Sequence, residues 1–383
     1  MGRYQMIPIT RPVLDEAEVA AVRSVIQSGW VTQGPAVAAF ESAFAAYIGA
    51  PHACAVSSCT TALHLALLAV GVRAGDEVIT VSHSFIATAN AVVYCGAEPI
   101  FVDIDPATYN IDPDLIEAAI TPRTRAILCV HQIGMPCDLT AISQLAKRHD
   151  LPLIEDAACA VGSEIVWNER WEKIGRPHSD IACFSFHPRK LVTTGDGGML
   201  TTANPRFDEQ FRLLRHHGMS VSDTKRHHSA EVVFESYPII GYNYRMSDIQ
   251  AAIGTVQLGR LDGALARRRA LAARYRELLL DIPGITLPHE PQWARSNWQS
   301  FCIRLPDRLD QRSVMQAMLD SGVSTRRAVM CAHREEPYSR RPARFSLKES
   351  ERAQDSGLLL PLFEQMTDDD QLTVAKALRK ACR

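Results

Sequence analysis

Short apolar runs alternate with segments of helical periodicity between residues 50 and 205. The runs that this pattern predicts as strands are DEVITV (76–81), EPIFVDI (98–104), RAILCVH (125–131), LPLIEDA (151–157), IACFSFH (181–187) and GGMLTT (197–202),. The segments between them, such as TTALHLALLAVGV and LTAISQLAKRHD, repeat their apolar residues at helical spacing,. Strands buried on both faces and separated by crossover helices predict an α/β fold with a central, mostly parallel sheet flanked by helices.

The pattern changes towards the C-terminus. Residues 247–282 have the periodicity of one long amphipathic helix, and after IPG (282–284) the shorter segments SFCIRL, SVMQAML and DDDQLTVAKALRKA follow,. We therefore predict a large domain over residues 1–260 and a smaller C-terminal α+β domain over residues 261–383, joined by the long helix. The basic triplet Arg267, Arg268 and Arg269 is interpreted as part of a solvated face of that helix,.

Charge and cysteine usage narrow the class of protein. The chain has 41 basic and 43 acidic residues and a formal net charge of −2, so it has no overall attraction for nucleic acid or an anionic membrane,. Its ten cysteines stand singly in apolar runs, which indicates reduced, core-packed thiols,. The sequence contains neither a signal peptide nor an apolar run of membrane-spanning length,. We predict a cytoplasmic protein without a metal site and without nucleic-acid or membrane partners.

Residues with useful chemistry stand where the predicted strands end. In a parallel sheet, ligands bind beyond the carboxyl ends of the strands. Asp156 ends the strand LPLIEDA, Phe85 follows DEVITV, and Lys190 follows IACFSFH in the stretch FSFHPRKLVTTGDGGML. The hydroxyl residues of SSCTTALHLAL precede an apolar helix, and free amides at a helix N-terminus can hold a phosphate,.

Each of these residues also has an ordinary structural interpretation. Asp156 and the hydroxyls could cap helices, Phe85 could pack in the core, and Lys190 could point to solvent. Together, however, they supply a phosphate cradle, a ring stacker, an acid and a lysine at one edge of one sheet, and this set suits pyridoxal 5′-phosphate (PLP). A nicotinamide site would need a G-x-G-x-x-G turn after the first strand, and the sequence has none,.

These residues belong to longer motifs that resemble a known family. The segments SGWVTQGPAVAAFESAFAAYIGA, LIEDAACAVG, CFSFHPRKLVTTGDGGML and GYNYRMSDIQAAIG resemble the DegT/DnrJ/StrS sugar aminotransferases, which are PLP-dependent and of fold type I, like aspartate aminotransferase. The resemblance runs over nearly the whole chain. It implies a PLP-transferase fold of type I and an aminotransferase reaction.

The resemblance also implies a role for each matching position. Lys190 matches the lysine that forms the internal aldimine and shuttles the proton, and Asp156 matches the acid that pairs with the pyridinium nitrogen. Phe85 matches the aromatic residue that stacks on the ring. Phosphate contacts are implied for Ser58, Thr60 and Ser185, with Asn243 reaching the phosphate from the partner subunit of a homodimer with shared active sites.

Two positions depart from the family pattern. The phosphate loop is usually SGT but reads Ser58, Cys59, Thr60 here, so a side chain replaces glycine where the backbone approaches the phosphate. The position after EDAA is commonly glutamine or histidine near the 3′-oxygen of the cofactor, and here it is Cys159. Because a thiol is a weak hydrogen-bond partner, we expect different tuning of the cofactor.

The resemblance implies a reaction in two halves. An amino acid, expected to be L-glutamate, gives its amino group to the cofactor, and the keto group of a nucleotide-linked keto sugar then receives it. Arginines are suited to the phosphates of such a substrate, although each could equally form a surface ion pair. The residues assigned to substrate binding are Gly29, Trp30, Thr32, Arg245, Arg326 and Arg327, and Trp30 could equally be core.

Three alternatives stay open from the sequence. A keto-cyclitol is the close alternative to a keto sugar as acceptor. Relatives that remove a hydroxyl use histidine in place of the lysine, so Lys190 favours transamination over dehydration. A non-catalytic sensor with the same fold would be expected to carry an attached DNA-binding domain, for which the chain leaves no room.

Overall fold

A seven-stranded mixed sheet forms the centre of the computed structural model, which describes residues 6–221, 226, 229, 231–340 and 343–383. The strands in chain order are β1 His52–Val56, β2 Glu77–Val81, β3 Glu98–Val102, β4 Thr124–Val130, β5 Leu153–Asp156, β6 Glu164–Trp167, β7 Arg170–Lys173, β8 Ile181–Ser185, β9 Gly198–Thr202, β10 Ala294–Arg295, β11 Phe301–Arg304, β12 Arg326–Arg327 and β13 Gly357–Leu360. The central sheet has the order β1-β9-β8-β5-β4-β2-β3. Only β9 runs against the others, so six carboxyl ends share one edge.

Helices cover both faces of this sheet. In chain order they are α1 Glu16–Ser28, α2 Pro35–Ile48, α3 Cys59–Ala69, α4 Ala87–Tyr94, α5 Pro113–Ile116, α6 Leu139–Arg148, α7 Pro205–Leu214, α8 Asp248–Leu279, α9 Gln311–Asp320, α10 Glu336–Ser339, α11 Lys348–Ser356 and α12 Asp368–Ala381. One core contains residues of α2, α6 and α8, and the core on the other face contains residues of α3, α4 and α7. The predicted α/β class with a mostly parallel, helix-flanked sheet is confirmed.

All six runs predicted as strands of this sheet are strands. The inner strands are largely buried on both faces, as in β2, where all five residues are buried, while the edge strand β3 is only partly buried,. Strand β1 was not predicted, because HACAV is short and consists largely of small residues with a low preference for strands,.

Aromatic packing fixes β8, the strand that leads to Lys190. Phe184 and Phe186 are fully buried, and their rings lie 5.1 Å from Phe44 and 5.3 Å from Phe40, measured between ring centroids. Such ring pairs add stability beyond the apolar area that they bury. Helix α2 therefore holds the end of β8 in place.

The C-terminal part has its own antiparallel sheet, of order β11-β13-β12. Its core joins the last turns of α8 to α9 and α12, with Tyr275, Phe301 and Met318 fully buried. Helix α8 thus contributes to both the main and the C-terminal core. The division into domains at residue 260 stays a prediction.

The interpretation of the arginine triplet in α8 as a solvated face is wrong for Arg268. Arg268 is only 3 % exposed, and its Nη1 donates hydrogen bonds to the carbonyl groups of Trp298, Gln299 and Leu362. Helical periodicity places it on the face of the buried Leu265 and Leu271,. Arg267 and Arg269 are more exposed, although each also donates a hydrogen bond to a backbone carbonyl group, of Met366 and Ser296 respectively.

Segment 167–178, whose role the sequence did not indicate, completes a hairpin of β6 and β7. Its turn residues Asn168 and Glu169 have φ of 46° and 66°, as a tight two-residue hairpin turn requires,. The guanidinium of Arg295 lies 3.8 Å above the ring of Trp171. All ten cysteines are free, and no helix among the described residues is long and apolar enough to span a membrane.

Candidate active site

A cavity of about 520 Å³ lies at the carboxyl edge of the central sheet. The edge brings together residues that are far apart in the sequence, because successive parallel strands of the central sheet end at the same place,. Ten of the predicted site residues line this cavity: Ser58, Cys59, Thr60, Phe85, Asp156, Cys159, Ser185, Lys190, Arg326 and Arg327.

Lys190 lies in the loop that follows β8 and lines the cavity. Its Nζ donates a hydrogen bond to Sγ of Cys159 over 2.8 Å. Two backbone contacts hold the loop: the N–H of Lys190 donates to the carbonyl of His187, and the side-chain amide of Gln299 donates to the carbonyl of Arg189. Lys190 is half-buried, so the interpretation as a solvent-facing strand-end lysine does not describe it.

Asp156 is a buried carboxyl at the end of β5, 5 % exposed. Its Oδ2 accepts a hydrogen bond from Oγ1 of Thr88 over 2.7 Å, and its Oδ1 accepts from the N–H of Ala158 over 3.1 Å. Burial raises the pKa of Asp156 above its ordinary value, although these two hydrogen bonds and Lys190 act against that rise,. Turns rather than a helix follow Asp156, so it does not cap a helix.

The N-terminus of α3 presents free backbone amides to the cavity wall. Ser58 caps the helix: its Oγ accepts from the N–H of Thr61, and its own N–H donates to Oγ1 of Thr61. Within the part of the chain that the structure describes, the N–H groups of Cys59 and Thr60 have no acceptor. The interpretation of the hydroxyl groups as helix caps is therefore right for Ser58. The two free amides remain available to bind an anion.

Cys59, which replaces the family's usual glycine, is accommodated by the fold. Its side chain is buried and its Sγ lies 3.6 Å from the carbonyl oxygen of Cys183 in β8, away from the helix terminus. The glycine that packs closely here is Gly198 of β9, which lies against the backbone of Ser58. A Cβ added at Gly198 would lie 2.5 Å from the carbonyl oxygen of Ser58. Glycine is thus required at Gly198, and the turn tolerates a side chain at Cys59.

Phe85 lines the cavity and is 63 % exposed, so it is not part of the hydrophobic core. It follows β2 at the same edge as Asp156. An aromatic ring that is open on the cavity side can cover a planar ligand ring.

Many cavity residues were not singled out from the sequence as site residues, and three of them carry useful chemistry. Thr88 donates to Asp156, His131 follows β4, and Arg189 precedes Lys190. His131 could have been predicted from the sequence, because polar residues at the carboxyl ends of parallel strands commonly reach the ligand. Its Nδ1 accepts from the N–H of Cys137 and its Nε2 contacts Glu155 over 2.8 Å, so both ring nitrogens are engaged within the protein.

The remaining predicted residues do not line the cavity of this chain. Gly29 ends α1 in the left-handed conformation, and Trp30 donates from Nε1 to the carbonyl of Gln33. The carbonyl of Thr32 accepts from the N–H of Asp248. Asn243 is exposed and accepts from Nε of Arg245, whose Nη1 contacts His216. Their assignment to substrate and to a partner's site stays a prediction.

The cavity residues fit PLP. The cofactor has an anionic phosphate, a flat ring with a basic nitrogen and an aldehyde. The two free amides at the N-terminus of α3 suit the phosphate, the buried carboxyl of Asp156 suits a protonated ring nitrogen, and the amine of Lys190 suits the aldehyde,.

Comparison with known proteins agrees with this geometry. A model of the DegT/DnrJ/EryC1/StrS aminotransferase family matches residues 12–379. The aminotransferase TlmJ from Streptoalloteichus hindustanus is 36 % identical, with 98 % of each chain covered and a TM-score of 0.89. DesV from S. venezuelae, solved in complex with a ketimine intermediate, is 34 % identical, with 99 % of each chain covered and a TM-score of 0.89.

DesI, solved in the presence of its TDP-sugar product, is 32 % identical over 99 % of this chain and 94 % of its own, with a TM-score of 0.88. These similarities extend over nearly the full length of both chains, so they include the central sheet and the cavity at its edge. The chain belongs to the DegT/DnrJ/EryC1/StrS aminotransferase family, and it is a PLP-dependent enzyme of the sugar aminotransferase type with the fold-type-I architecture.

Proposed function

We propose that this enzyme moves an amino group from L-glutamate to the keto group of a nucleotide-linked keto-deoxysugar, with Lys190 as the acid–base residue. The observation that carries the proposal is the presence of Lys190 and Asp156 in one cavity, beside the open ring of Phe85 and the free amides of α3. The bound cofactor supplies an electron-withdrawing ring and a carrier for the amino group.

Lys190 is suited to moving the proton. Its Nζ is anchored near Sγ of Cys159, and the loop that carries it is held by Gln299 and His187. A neutral amine removes the proton from the reacting carbon and returns it at the neighbouring position.

Asp156 and the surrounding residues hold the reacting groups in place. With the cofactor bound, an ionised Asp156 would keep a proton on the ring nitrogen, because the buried carboxylate and the positive ring would stabilise each other,. Phe85 would cover the ring, and the N–H groups of Cys59 and Thr60 would hold the phosphate at the positive end of α3,. Ser185, at the end of β8, adds a hydroxyl to that phosphate site.

The class of amino-group acceptor is proposed from the arginines that line the cavity and from the similar proteins. Arg189, Arg326 and Arg327 line the cavity, and guanidinium groups bind phosphates with two parallel hydrogen bonds,. DesI was solved with a TDP-sugar product. Both observations support a nucleotide diphosphate sugar as the class of acceptor.

We propose a homodimer in which Asn243 and Arg245 serve the partner's cavity. Both residues lie outside the cavity of their own chain. Nearby, the segment 231–240 exposes large apolar side chains, with Val232 85 %, Phe234 88 % and Ile240 90 % exposed. An apolar patch of this kind is typical of a protein–protein interface.

The acceptor class is tested with the enzyme in its amino-loaded form. The enzyme is treated with L-glutamate and PLP, freed of small molecules, and mixed singly with TDP- and UDP-linked keto-deoxysugars and with a keto-cyclitol. Return of the cofactor's aldehyde absorbance with a nucleotide-linked sugar supports the proposal. Return with the cyclitol alone, or failure of L-glutamate to load the enzyme while another amino acid does, contradicts it.

A further inference from the structure

A chain of buried hydroxyl groups ends on the carboxyl of Asp156. Oγ of Ser84 lies 2.7 Å from Oγ1 of Thr88, and Oγ1 of Thr88 donates to Oδ2 of Asp156 over 2.7 Å. Ser84 is 3 % exposed and Thr88 is 1 % exposed. Both belong to the segment that enters α4, which also carries Phe85.

The direction of these hydrogen bonds follows from the number of protons. An ionised carboxylate only accepts, so the single hydroxyl proton of Thr88 is committed to Asp156. The oxygen of Thr88 is then free to accept, and the hydroxyl of Ser84 donates to it. Each bond polarises the next, which strengthens the donor that faces the carboxylate.

Few other groups can stabilise a negative charge on Asp156. The titratable groups around it are Lys190, His131, Glu155 and the thiols of Cys59, Cys129 and Cys183. Nδ1 of His131 accepts a backbone N–H and its Nε2 contacts Glu155, which also accepts from Ser179, so the hydrogen bonds of His131 are made to groups other than Asp156. Burial raises the pKa of the Cys59 and Cys183 thiols, so they are neutral.

Lys190 and His131 both lower the pKa of Asp156 through their charge, but Lys190 cannot serve Asp156 throughout the reaction. Under the proposed function its amine is either bound to the cofactor or acting as a neutral base. Among the described residues, the hydrogen-bond donors to Asp156 are the hydroxyl of Thr88 and the N–H of Ala158. The N–H of Ala158 is a backbone group, so Thr88 is the side chain on which this support depends.

We propose that Thr88 is a positioning residue for catalysis: it keeps the Asp156 carboxylate ionised and aimed so that the carboxylate can hold the proton on the cofactor's ring nitrogen. This inference rests on the proposed role of Asp156. It assigns a part in cofactor binding to Thr88 and, through Thr88, to Ser84. Neither the sequence motifs nor the family match specifies this part.

The proposal is tested by measuring the dissociation constant of PLP for apoenzyme across a pH series, using absorbance or fluorescence. Thr88→Val keeps the shape and removes the hydroxyl, and we expect PLP to bind about tenfold more weakly at neutral pH, as for loss of a hydrogen bond to a charged group. Without that donor, the pKa of Asp156 rises further. The ionised carboxylate acts only above its pKa, so the acid-side loss of PLP affinity begins at higher pH in the variant.

Two further variants separate positioning from simple packing. Thr88→Ser restores the hydroxyl and is expected to restore the wild-type affinity and pH dependence. Thr80→Val is the matched control, because Thr80 is equally buried in β2 but its hydroxyl has no partner among the described residues. We expect Thr80→Val to bind PLP as the wild type does. If Thr88→Val does not fold, Ser84→Ala is measured, with a smaller loss expected in the same direction.

Three results would overturn the inference: unchanged affinity and pH dependence in a folded Thr88→Val, equal losses in Thr88→Val and Thr80→Val, or no recovery in Thr88→Ser. Asp156→Asn distinguishes this failure from failure of the proposed function. If Asp156→Asn loses affinity while Thr88→Val does not, only the role of Thr88 is wrong. If Asp156→Asn also binds PLP like the wild type, the role proposed for Asp156 is wrong.

Discussion

At the scale of single residues, the contact between Lys190 and Cys159 is the most unusual feature of the site. The sulfur accepts a hydrogen bond from the amine over 2.8 Å, at a position where the resemblance to the family leads us to expect glutamine or histidine. A sulfur atom is a weak acceptor, so it restrains the amine without stabilising its charge strongly. The geometry therefore lets Lys190 leave Cys159 at little cost.

Cys159→Ala tests this interpretation. Because the lost hydrogen bond is weak, we expect kcat to fall by less than about fivefold, which corresponds to about 1 kcal/mol. PLP affinity is expected to stay within about threefold of the wild-type value on the same argument. Steady-state kinetics and PLP titration measure both quantities. A loss of activity as severe as that of Lys190→Ala would mean that the thiol itself takes part in the reaction.

Arg268 leads to a prediction about stability rather than about activity. Its guanidinium is buried and serves three carbonyl groups, and burial lowers its pKa to about 10. Arg268→Met leaves those carbonyls without a donor, so we expect the free energy of unfolding to fall by about 2–4 kcal/mol. The matched control is Arg276→Met, at an exposed position of the same helix, with an expected change within about 0.5 kcal/mol,. Urea unfolding measures the free energy of unfolding of the two variants. Equally small changes in both variants would contradict the prediction.

At the scale of elements, the approach of β9 to the start of α3 shapes the proposed phosphate site. Gly198 pairs with Val56 of β1 and with Ser185 of β8, so the strand cannot shift away from the turn. A Cβ at this position would lie 2.7 Å from the backbone nitrogen of Cys59. The free amides of α3 therefore depend on a glycine in a different element.

Gly198→Ala is expected to displace the start of α3. We expect at least about a tenfold loss of PLP affinity, because the amides no longer converge on the phosphate, and a lower melting temperature because backbone atoms clash. Gly259→Ala is the control: it lies on an exposed face of α8 with no atom within 4 Å of the added Cβ. It should leave PLP binding unchanged and stabilise the protein by up to about 1 kcal/mol. Wild-type PLP affinity in Gly198→Ala would show that α3 does not bind the phosphate.

The elements also show which features of the fold and the site could be predicted from the sequence and which could not. Strands β2, β4 and β8 were predictable because burial on both faces leaves a continuous apolar run, and Asp156 and Lys190 were predictable because they end such runs,. Thr88 was not, because nothing in SHSFIAT shows that its hydroxyl meets a carboxyl 68 residues later. The burial of Arg268 depends in the same way on carbonyl groups that lie far along the chain.

At the scale of the whole molecule, the proposed homodimer predicts that two chains share the active sites. Asn243 lies outside its own cavity beside the exposed apolar segment 231–240. A symmetric dimer that covers this segment buries the same patch on both chains. We therefore expect loss of the patch to cost both dimerisation and activity.

Replacing Phe234 and Ile240 together by Asp tests the patch. Two charges at an apolar interface oppose association, so we expect the variant to sediment as a monomer and to lose most of its activity. Leu280→Asp, at a site 79 % exposed at the end of α8, is the matched control and should behave like the wild type. A fully active dimer of the double variant would place the interface elsewhere.

Shared sites make a second prediction, which concerns complementation. Lys190→Ala and Asn243→Ala should each be nearly inactive alone. Co-expressed in equal amounts, they form mixed dimers in which one site of two combines an intact Lys190 with an intact Asn243 from the partner, giving about a quarter of the wild-type activity. If Asn243 served its own chain, the mixture would stay inactive. Activity assays on the purified mixture distinguish the two arrangements.

The central claim is that Lys190 holds the cofactor, and borohydride reduction tests it most directly. The PLP-loaded enzyme is reduced, digested and analysed by mass spectrometry. We predict that one peptide, the one containing Lys190, gains the mass of a phosphopyridoxyl group, and that Lys190→Ala gains none. An unmodified Lys190 in active enzyme, or a phosphopyridoxyl group on another lysine, would contradict the account.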